Sequence, residues 1–184
     1  MILIITGQQG SGKTLLAVRE MLAYAHKGYK IVSNVKLKGI KHDNLDYDKV
    51  TACEYERCVI FMDEVHQILP ARRSMSKSSI AIVDGFLSMI RKKEVILIAT
   101  TQFERKVDNR LRLEKDYIIA CRRYAYMNNG FVPVPPDFKD ASVVCIIEAE
   151  MTCIFNSDSK KMSFVANKYY KYYDTHQLII VNKK

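Results

Sequence analysis

Met1–Ile5 is an unbroken apolar run, and it leads directly into "TGQQGSGKT", Thr6 to Thr14. Few folds accept that junction. An uninterrupted aliphatic run fits a strand covered on both faces, as in a parallel sheet. Glycine-rich turns also arise for structural reasons alone, but such a turn has no need of the Lys-Thr pair that closes this one. Gly7 to Thr14 matches G-x-x-x-x-G-K-[ST] at every defined position. Glycines let successive backbone N–H groups converge on phosphate oxygens, and a following helix adds unsatisfied amides and a positive dipole end. Gly7, Gln8, Gln9, Gly10, Ser11, Gly12, Lys13 and Thr14 are therefore the expected nucleotide-binding loop. Lys13 is expected to reach the β- and γ-phosphates and to serve catalysis, while Thr14 offers its hydroxyl to Mg2+. ATP and Mg2+ are the expected ligands.

The residues after the loop change period. Leu15, Leu16, Val18, Met21, Leu22 and Tyr24 recur at helical spacing, and Gly28 stands where a helix would stop. "KIVSNV" (30–35), "RCVIFMDEV" (57–65), "VILIATTQ" (95–102) and "YIIAC" (117–121) read as further strands. Ile80, Val83, Leu87 and Ile90 mark a helix over 80–93, and a short one is expected over 107–115. Residues 36–55 are polar and irregular in pattern. Strands alternating with helices, each strand nearly all apolar, predict an α/β fold: a mostly parallel central sheet flanked by helices. Asn128-Asn129-Gly130 and the prolines at 133, 135 and 136 break the rhythm and predict a hairpin-like excursion or loop. Ser142–Phe155 looks like strand again, and 162–173 like a strand or short helix. The expected organisation is one domain over 1–184, with core motifs in 1–123, an inserted loop at about 124–140 and C-terminal strands over 141–184.

A phosphate-binding loop alone does not separate a kinase from a motor. "VIFMDEVHQ" (59–67) narrows the choice. Four apolar residues ending in Asp63 place that carboxylate at the strand's C-terminal edge, where the phosphate loop also opens. There it is expected to hold the Mg2+ ion together with Thr14. Glu64 follows at once, and its side chain projects differently, as a base that polarises water for attack on the γ-phosphate requires. The competing account makes Glu64 a cap or a surface ion-pair partner. His66 either contacts nucleotide or a neighbour, or simply begins a loop. Gln102, after Thr100 and Thr101, is the expected residue to sense the γ-phosphate or orient the water. Hydrolysis needs positive charge at the transferring phosphoryl, often an arginine from a neighbouring subunit. Arg72, Arg73, Arg110 and Arg112 are the candidates, each equally able to be a solvated or DNA-facing arginine.

The chain has 184 residues, 48% hydrophobic and 27% charged, which describes a globular protein, and its apolar runs are far shorter than a membrane span. No signal peptide is read at the N-terminus, so a cytoplasmic, unanchored protein is expected. Five cysteines lack paired spacing, so free thiols are expected; a Cys145–Cys153 disulfide stays open for a hyperthermophile source. The net charge of +9, with basic groups at 72–77, 91–93, 105–112 and 122–123, suits a polyanionic partner, although a solvated face explains charge equally well.

"GSGKT…AVREMLAYAHKGYKIVSNVKLKG", "VIFMDEVHQILPARR" and "SMIRKKEVILIATTQFERKVDNRLR" together resemble the zonula occludens toxin-like ATPases, which include filamentous-phage assembly ATPases. The resemblance spans roughly residues 1–123. It implies a RecA-like core of the FtsK–HerA motor class, a homo-oligomer in the form of a hexameric ring, and ATP-driven movement of DNA. Phage members carry a transmembrane segment after the ATPase domain, whereas this chain ends at Lys183–Lys184 without one. That moves the expectation toward a motor that packages or translocates viral or plasmid DNA, associated with virions or a membrane only through partners. A second expectation is a virion assembly or extrusion ATPase acting on coat, capsid or membrane proteins. A small-molecule kinase is a third, opposed by Glu64, since a water-activating carboxylate wastes ATP in a kinase. The tyrosine-rich 167–178 segment either stacks on bases or packs onto the sheet.

Overall fold

Side-chain alternation along the central strands sorts this chain into two half-cores. The computed structural model describes residues 1–71, 77–135, 138 and 142–173. In chain order the elements are β1 (Ile2–Thr6), α1 (Lys13–His26), β2 (Lys30–Ser33), β3 (Asp43–Asn44), α2 (Tyr47–Thr51), β4 (Cys58–Met62), α3 (Lys77–Lys92), β5 (Ile96–Thr101), α4 (Asn109–Leu113), β6 (Tyr117–Met127), β7 (Gly130–Pro133), β8 (Cys145–Cys153) and β9 (Ser159–Val165). Leu3, Ile5, Val59, Phe61, Ile96 and Ile98 face one side and pack with Leu15, Leu16, Val18 and Met21 of α1. Ile2, Ile4, Ile60, Met62, Leu97 and Ala99 face the other and pack with Val83, Phe86 and Met89 of α3 and Leu111 of α4. A period of two within each strand requires this division, and helices on both faces complete it. Each fully buried aliphatic side chain contributes roughly 1.5–3 kcal/mol.

The strands form one sheet in the order β3-β2-β4-β5-β1-β6-β8-β9, with β7 paired to β6. All pairs from β3 through β6 are parallel; β6–β7, β6–β8 and β8–β9 are antiparallel. The expected mostly parallel sheet flanked by helices is the one observed. Its order sets β5 between β4 and β1, so the tips of β4 and β1 approach each other across β5.

Two regions differ from the sequence reading. Residues 36–55 are not wholly irregular: β3 extends the sheet beside β2, and α2 is capped by Asp46, whose side chain accepts from the Asp48 and Lys49 amides at 2.9 and 3.4 Å. The stretch expected as a hairpin-like excursion or loop after residue 123 is a hairpin, but one built as an extension of the sheet rather than as an inserted loop. β6 runs to Met127 and turns through Asn128 and Asn129, both at positive φ (48° and 62°), into β7. Two left-handed residues suit a tight hairpin whose twist matches its strands. β6 therefore rises beyond the end of β1, and β8 pairs with it over Tyr117–Ala125. After β9 the chain forms short 3-10 turns at Ala166–Lys168 and Tyr170–Tyr172. There Tyr169, Tyr170, Tyr172 and Tyr173 pack against the α1-side core. All five cysteines are free thiols, and Cys145 and Cys153 stand at opposite ends of β8, about 26 Å apart at strand rise. Among the described residues, no helix is long and apolar enough to cross a membrane.

Helix α3 meets α2 through a glycine. A Cβ on Gly85 would strike the Val50 carbonyl oxygen, which is backbone and cannot swing aside. Gly85→Ala is therefore expected to lower unfolding free energy by about 1–3 kcal/mol, read from denaturant midpoints at unchanged m-value.

Candidate active site

The loop after β1 owes its shape to three glycines in backbone conformations that other residues avoid: Gly7 at φ 149°, Gly10 at 74° and Gly12 at 90°. A Cβ at Gly7 would lie 2.5 Å from Ser11 Oγ and 2.6 Å from the Cys121 carbonyl oxygen. At Gly12 it would collide with Ile147 of β8. The Ser11 amide donates to the Gln8 carbonyl at 3.1 Å, and Leu16 N–H to the Gly12 carbonyl at 2.9 Å, so the loop passes directly into α1. Gln8 and Gln9 are exposed, Gly10 half-buried and Ser11 buried. Ser11 Oγ has no partner among the described residues although buried, an orphaned acceptor and donor inside the cradle. Lys13 is 6% exposed and folds back so that Nζ donates to the Gln8 carbonyl at 3.1 Å. An ammonium held by its own loop's carbonyl is poised to exchange that oxygen for a phosphate oxygen.

At the tip of β4, Asp63 is buried and its carboxylate is held by hydroxyls. Oδ1 accepts from Thr14 at 3.1 Å and from Thr100 at 2.5 Å, and Oδ2 accepts from the Tyr173 phenol at 3.0 Å. Its backbone is clamped by Asn34, just past β2. Asp63 N–H donates to Asn34 Oδ1 at 2.8 Å, and Asn34 Nδ2 donates to the Asp63 carbonyl at 3.1 Å. A carboxylate stripped of water and held by neutral donors retains affinity for a cation. Together with the Thr14 hydroxyl it offers the hard oxygen ligands that Mg2+ prefers.

Glu64 turns the chain sharply. It adopts the left-handed region at φ 47°, ψ 51°, and its N–H donates to Thr100 Oγ1 at 2.9 Å. The carboxylate thereby swings away from Asp63. Its Oε1 lies 4.0 Å from Lys13 Nζ, and its Oε2 lies 3.3 Å from His66 Nδ1. Among the described residues no donor is aligned on that buried Oε2, so the His66 approach is a close contact without a straight hydrogen bond. Burial raises the Glu64 pKa above the ordinary carboxylate value, with Lys13 pulling it down, Asp63 adding to the rise and Lys106 pulling down again. Burial also lowers the His66 pKa, helped by Lys106 and Lys13.

Gln102 directly follows β5, and the pairing Thr6↔Thr101 sets it level with Gly7 at the same sheet edge. Arg110 is engaged within its own chain. Its guanidinium pairs with Asp84 at 2.8 Å and Asp108 at 3.3 Å. Arg112 donates to Asn109 Oδ1 at 2.6 Å within α4. Arg72 and Arg73 lie outside the described residues. Two contributors escaped the sequence reading. Asn34 is marked only by being a polar residue at a parallel strand's tip. Tyr173 carries no signal, because its contact with Asp63 joins residues 110 positions apart.

The sequence matches the family model "ATPase family associated with various cellular activities (AAA)" over residues 3–122. The chain belongs to that family. It is a P-loop ATPase that binds and hydrolyses ATP. No curated protein sequence matches it. Among solved structures, the N-terminal domain of zonular occludens toxin from Neisseria meningitidis is similar at TM-score 0.61 and 19% identity, covering 94% of this chain and 98% of that one. The genome packaging NTPase of Sulfolobus turreted icosahedral virus 2, solved with ATP-gammaS, is similar at TM-score 0.56 and 12% identity, covering 87% and 95%. The DNA-packaging ATPase from Sulfolobus turreted icosahedral virus is similar at TM-score 0.54 and 14% identity, again covering 87% and 95%. At these identities the likeness is one of fold, and it agrees with the zonula occludens toxin-like resemblance read from the motifs.

Gly7 carries a prediction of its own. Forcing a side chain into its position strains the loop by about 1–3 kcal/mol, so Gly7→Ala is expected to weaken binding of a fluorescent ATP analogue about tenfold or more, by titration.

Proposed function

We propose that this ATPase is a Mg-ATP-driven motor that translocates or packages viral or plasmid DNA, working as an oligomeric ring. The observation that carries the chemistry is the meeting of Lys13, Thr14, Asp63 and Glu64 at one sheet edge. In this reading the amides of Gly7–Thr14 hold the phosphate tail, Lys13 neutralises the β- and γ-phosphates, and Thr14 and Asp63 hold Mg2+. When bound, Mg2+ neutralises charge on the phosphate oxygens. Glu64 takes a proton from the attacking water, and Gln102 orients that water. The arginine that completes the site is one of Arg72, Arg73, Arg110 or Arg112 of a neighbouring copy. Arg110 is already paired with two carboxylates, so it would have to exchange them for phosphate.

Three observations support DNA as the cargo. The charge is +9 overall. Just past Gln102, the exposed ring of Phe103 is overlaid by Arg105 and Lys106, with their cations 5.6 and 5.0 Å from its centroid. A basic, aromatic tip beside the nucleotide edge suits a polyanion. The packaging NTPase, finally, shares the fold across 95% of its own length. A cytoplasmic setting in a host cell follows from that role. The assembly reading, with a coat, capsid or membrane protein as client, is favoured by the zonular occludens toxin domain, similar over 98% of its length. Co-purification of such a protein without DNA would select it.

Lys13→Ala is expected to abolish turnover. Glu64→Gln is expected to bind ATP at parent affinity while slowing hydrolysis by about 10²–10⁴-fold in single-turnover assays. A Glu64→Gln variant that hydrolyses ATP at the parent rate would remove the base from this scheme. DNA should stimulate the ATPase, and the stimulation should fall steeply between about 50 and 200 mM salt. Indifference to single- and double-stranded DNA at every salt concentration would defeat the cargo assignment.

A further inference from the structure

His66 sits one turn beyond the acidic pair, and its Nδ1 has two neighbours. Glu64 Oε2 is 3.3 Å away and Thr101 Oγ1 is 3.2 Å away. The Thr101 hydroxyl also lies 3.2 Å from the Phe103 carbonyl, which can only accept. Assigning the hydroxyl's single proton to that carbonyl leaves Thr101 Oγ1 with a lone pair for the imidazole. Both groups facing Nδ1 are then acceptors, and in a neutral ring Nδ1 must carry the proton. That N–H faces Thr101 Oγ1 at the tip of β5 and lies close to, but not aligned on, Glu64 Oε2, a buried oxygen with no hydrogen-bond partner among the described residues. A small rotation of the ring completes the bond to Glu64, while Thr101 keeps the ring from leaving.

We propose that His66 is the positioning residue for the Glu64 carboxylate: its Nδ1–H, steadied by Thr101, fixes Oε2 and so aims Oε1 toward the side where Lys13 lies. The inference rests on Glu64 being the base. His66 touches neither phosphate nor water in this role. It removes the freedom of a side chain whose backbone already leaves the strand in a left-handed conformation. A carboxylate displaced by about 1 Å loses on the order of 10²-fold in rate, and that is the scale of effect expected here.

The test uses the full chain and three substitutions. His66→Ala should lower kcat on the order of 10- to 100-fold, leaving KM for ATP and the affinity for a non-hydrolysable ATP analogue within about twofold. His66→Asn places an amide N–H where Nδ1 stands and should recover most of the rate. His66→Gln carries its N–H one carbon further, where Nε2 stands, and should not. The Asn and Gln variants keep the site polar and similar in size, so their contrast survives even if the alanine variant folds poorly. The loss on His66→Ala should also vanish in a Glu64→Gln background, since a residue that acts through Glu64 has nothing left to position. Parent-like kcat in His66→Ala, equal rates for the Asn and Gln variants, or an undiminished loss in the Glu64→Gln background each overturns the inference. A fast Glu64→Gln enzyme overturns the base assignment itself, so the two failures are distinguishable.

Discussion

The site is organised around a buried carboxylate that the fold supplies with hydroxyls rather than a cation. Asp63 stands at the tip of β4, Thr100 near the tip of β5 and Thr14 in the first turn of α1, and the 3.1 and 2.5 Å bonds among them tie three elements of the sheet edge together. Only a parallel order with β5 between β4 and β1 makes this possible, because parallel strands end at the same edge. The cost of burying the charge is offset by these hydroxyls, by the Tyr173 phenol and by the Asn34 clamp on the backbone. Removing any one partner leaves the buried charge less satisfied.

The same edge explains what holds the phosphate loop in shape. Gly12 lies beneath Ile147 of β8 and Gly7 beneath Cys121, the residue of β6 whose thiol also donates to the Ser11 carbonyl at 3.3 Å. The long β6–β8 wall, extended past the end of β1, therefore presses on the loop from one side while α1 begins on the other. Thiol chemistry is not part of the arrangement. Burial pushes the Cys121 pKa up to about 12, against a smaller pull down from Lys13, so the sulfur stays a protonated donor.

The fold and half of the site were legible because their signals are local. Apolar runs of five residues, a glycine pattern and an acidic pair each lie within nine consecutive positions, and physics at that range decides strand, turn and loop. Contacts across the fold were not legible. Gly85 looks like an unfavourable helix residue until the Val50 carbonyl is placed against it, and Ile147 looks like any strand residue until it covers Gly12. α2 was missed because five residues give too little periodicity, although Asp46 is a favoured N-cap residue type. The Asn128-Asn129-Gly130 turn and Pro133 suggested a hairpin-like excursion or loop; the two asparagines do make the hairpin turn, and Pro133 ends β7 opposite Tyr124.

Electrostatics give a reason for a histidine, rather than a lysine or arginine, beside Glu64. Burial raises the proton affinity of Glu64, and the nearby Lys13 ammonium is the largest influence opposing it. In the free enzyme that ammonium is shared between the Gln8 carbonyl and the carboxylate. In the proposed scheme a triphosphate entering the loop draws Lys13 to itself, and losing that ammonium as a neighbour would make the Glu64 carboxylate more basic. A cation in the place of His66 would cancel that gain by stabilising the carboxylate throughout. An imidazole, its pKa lowered by burial and by Lys106 and Lys13, can supply the proposed hydrogen bond without a full charge. On the proposed reading the direction of the carboxylate depends on His66 and Thr101, and its basicity on burial and Lys13.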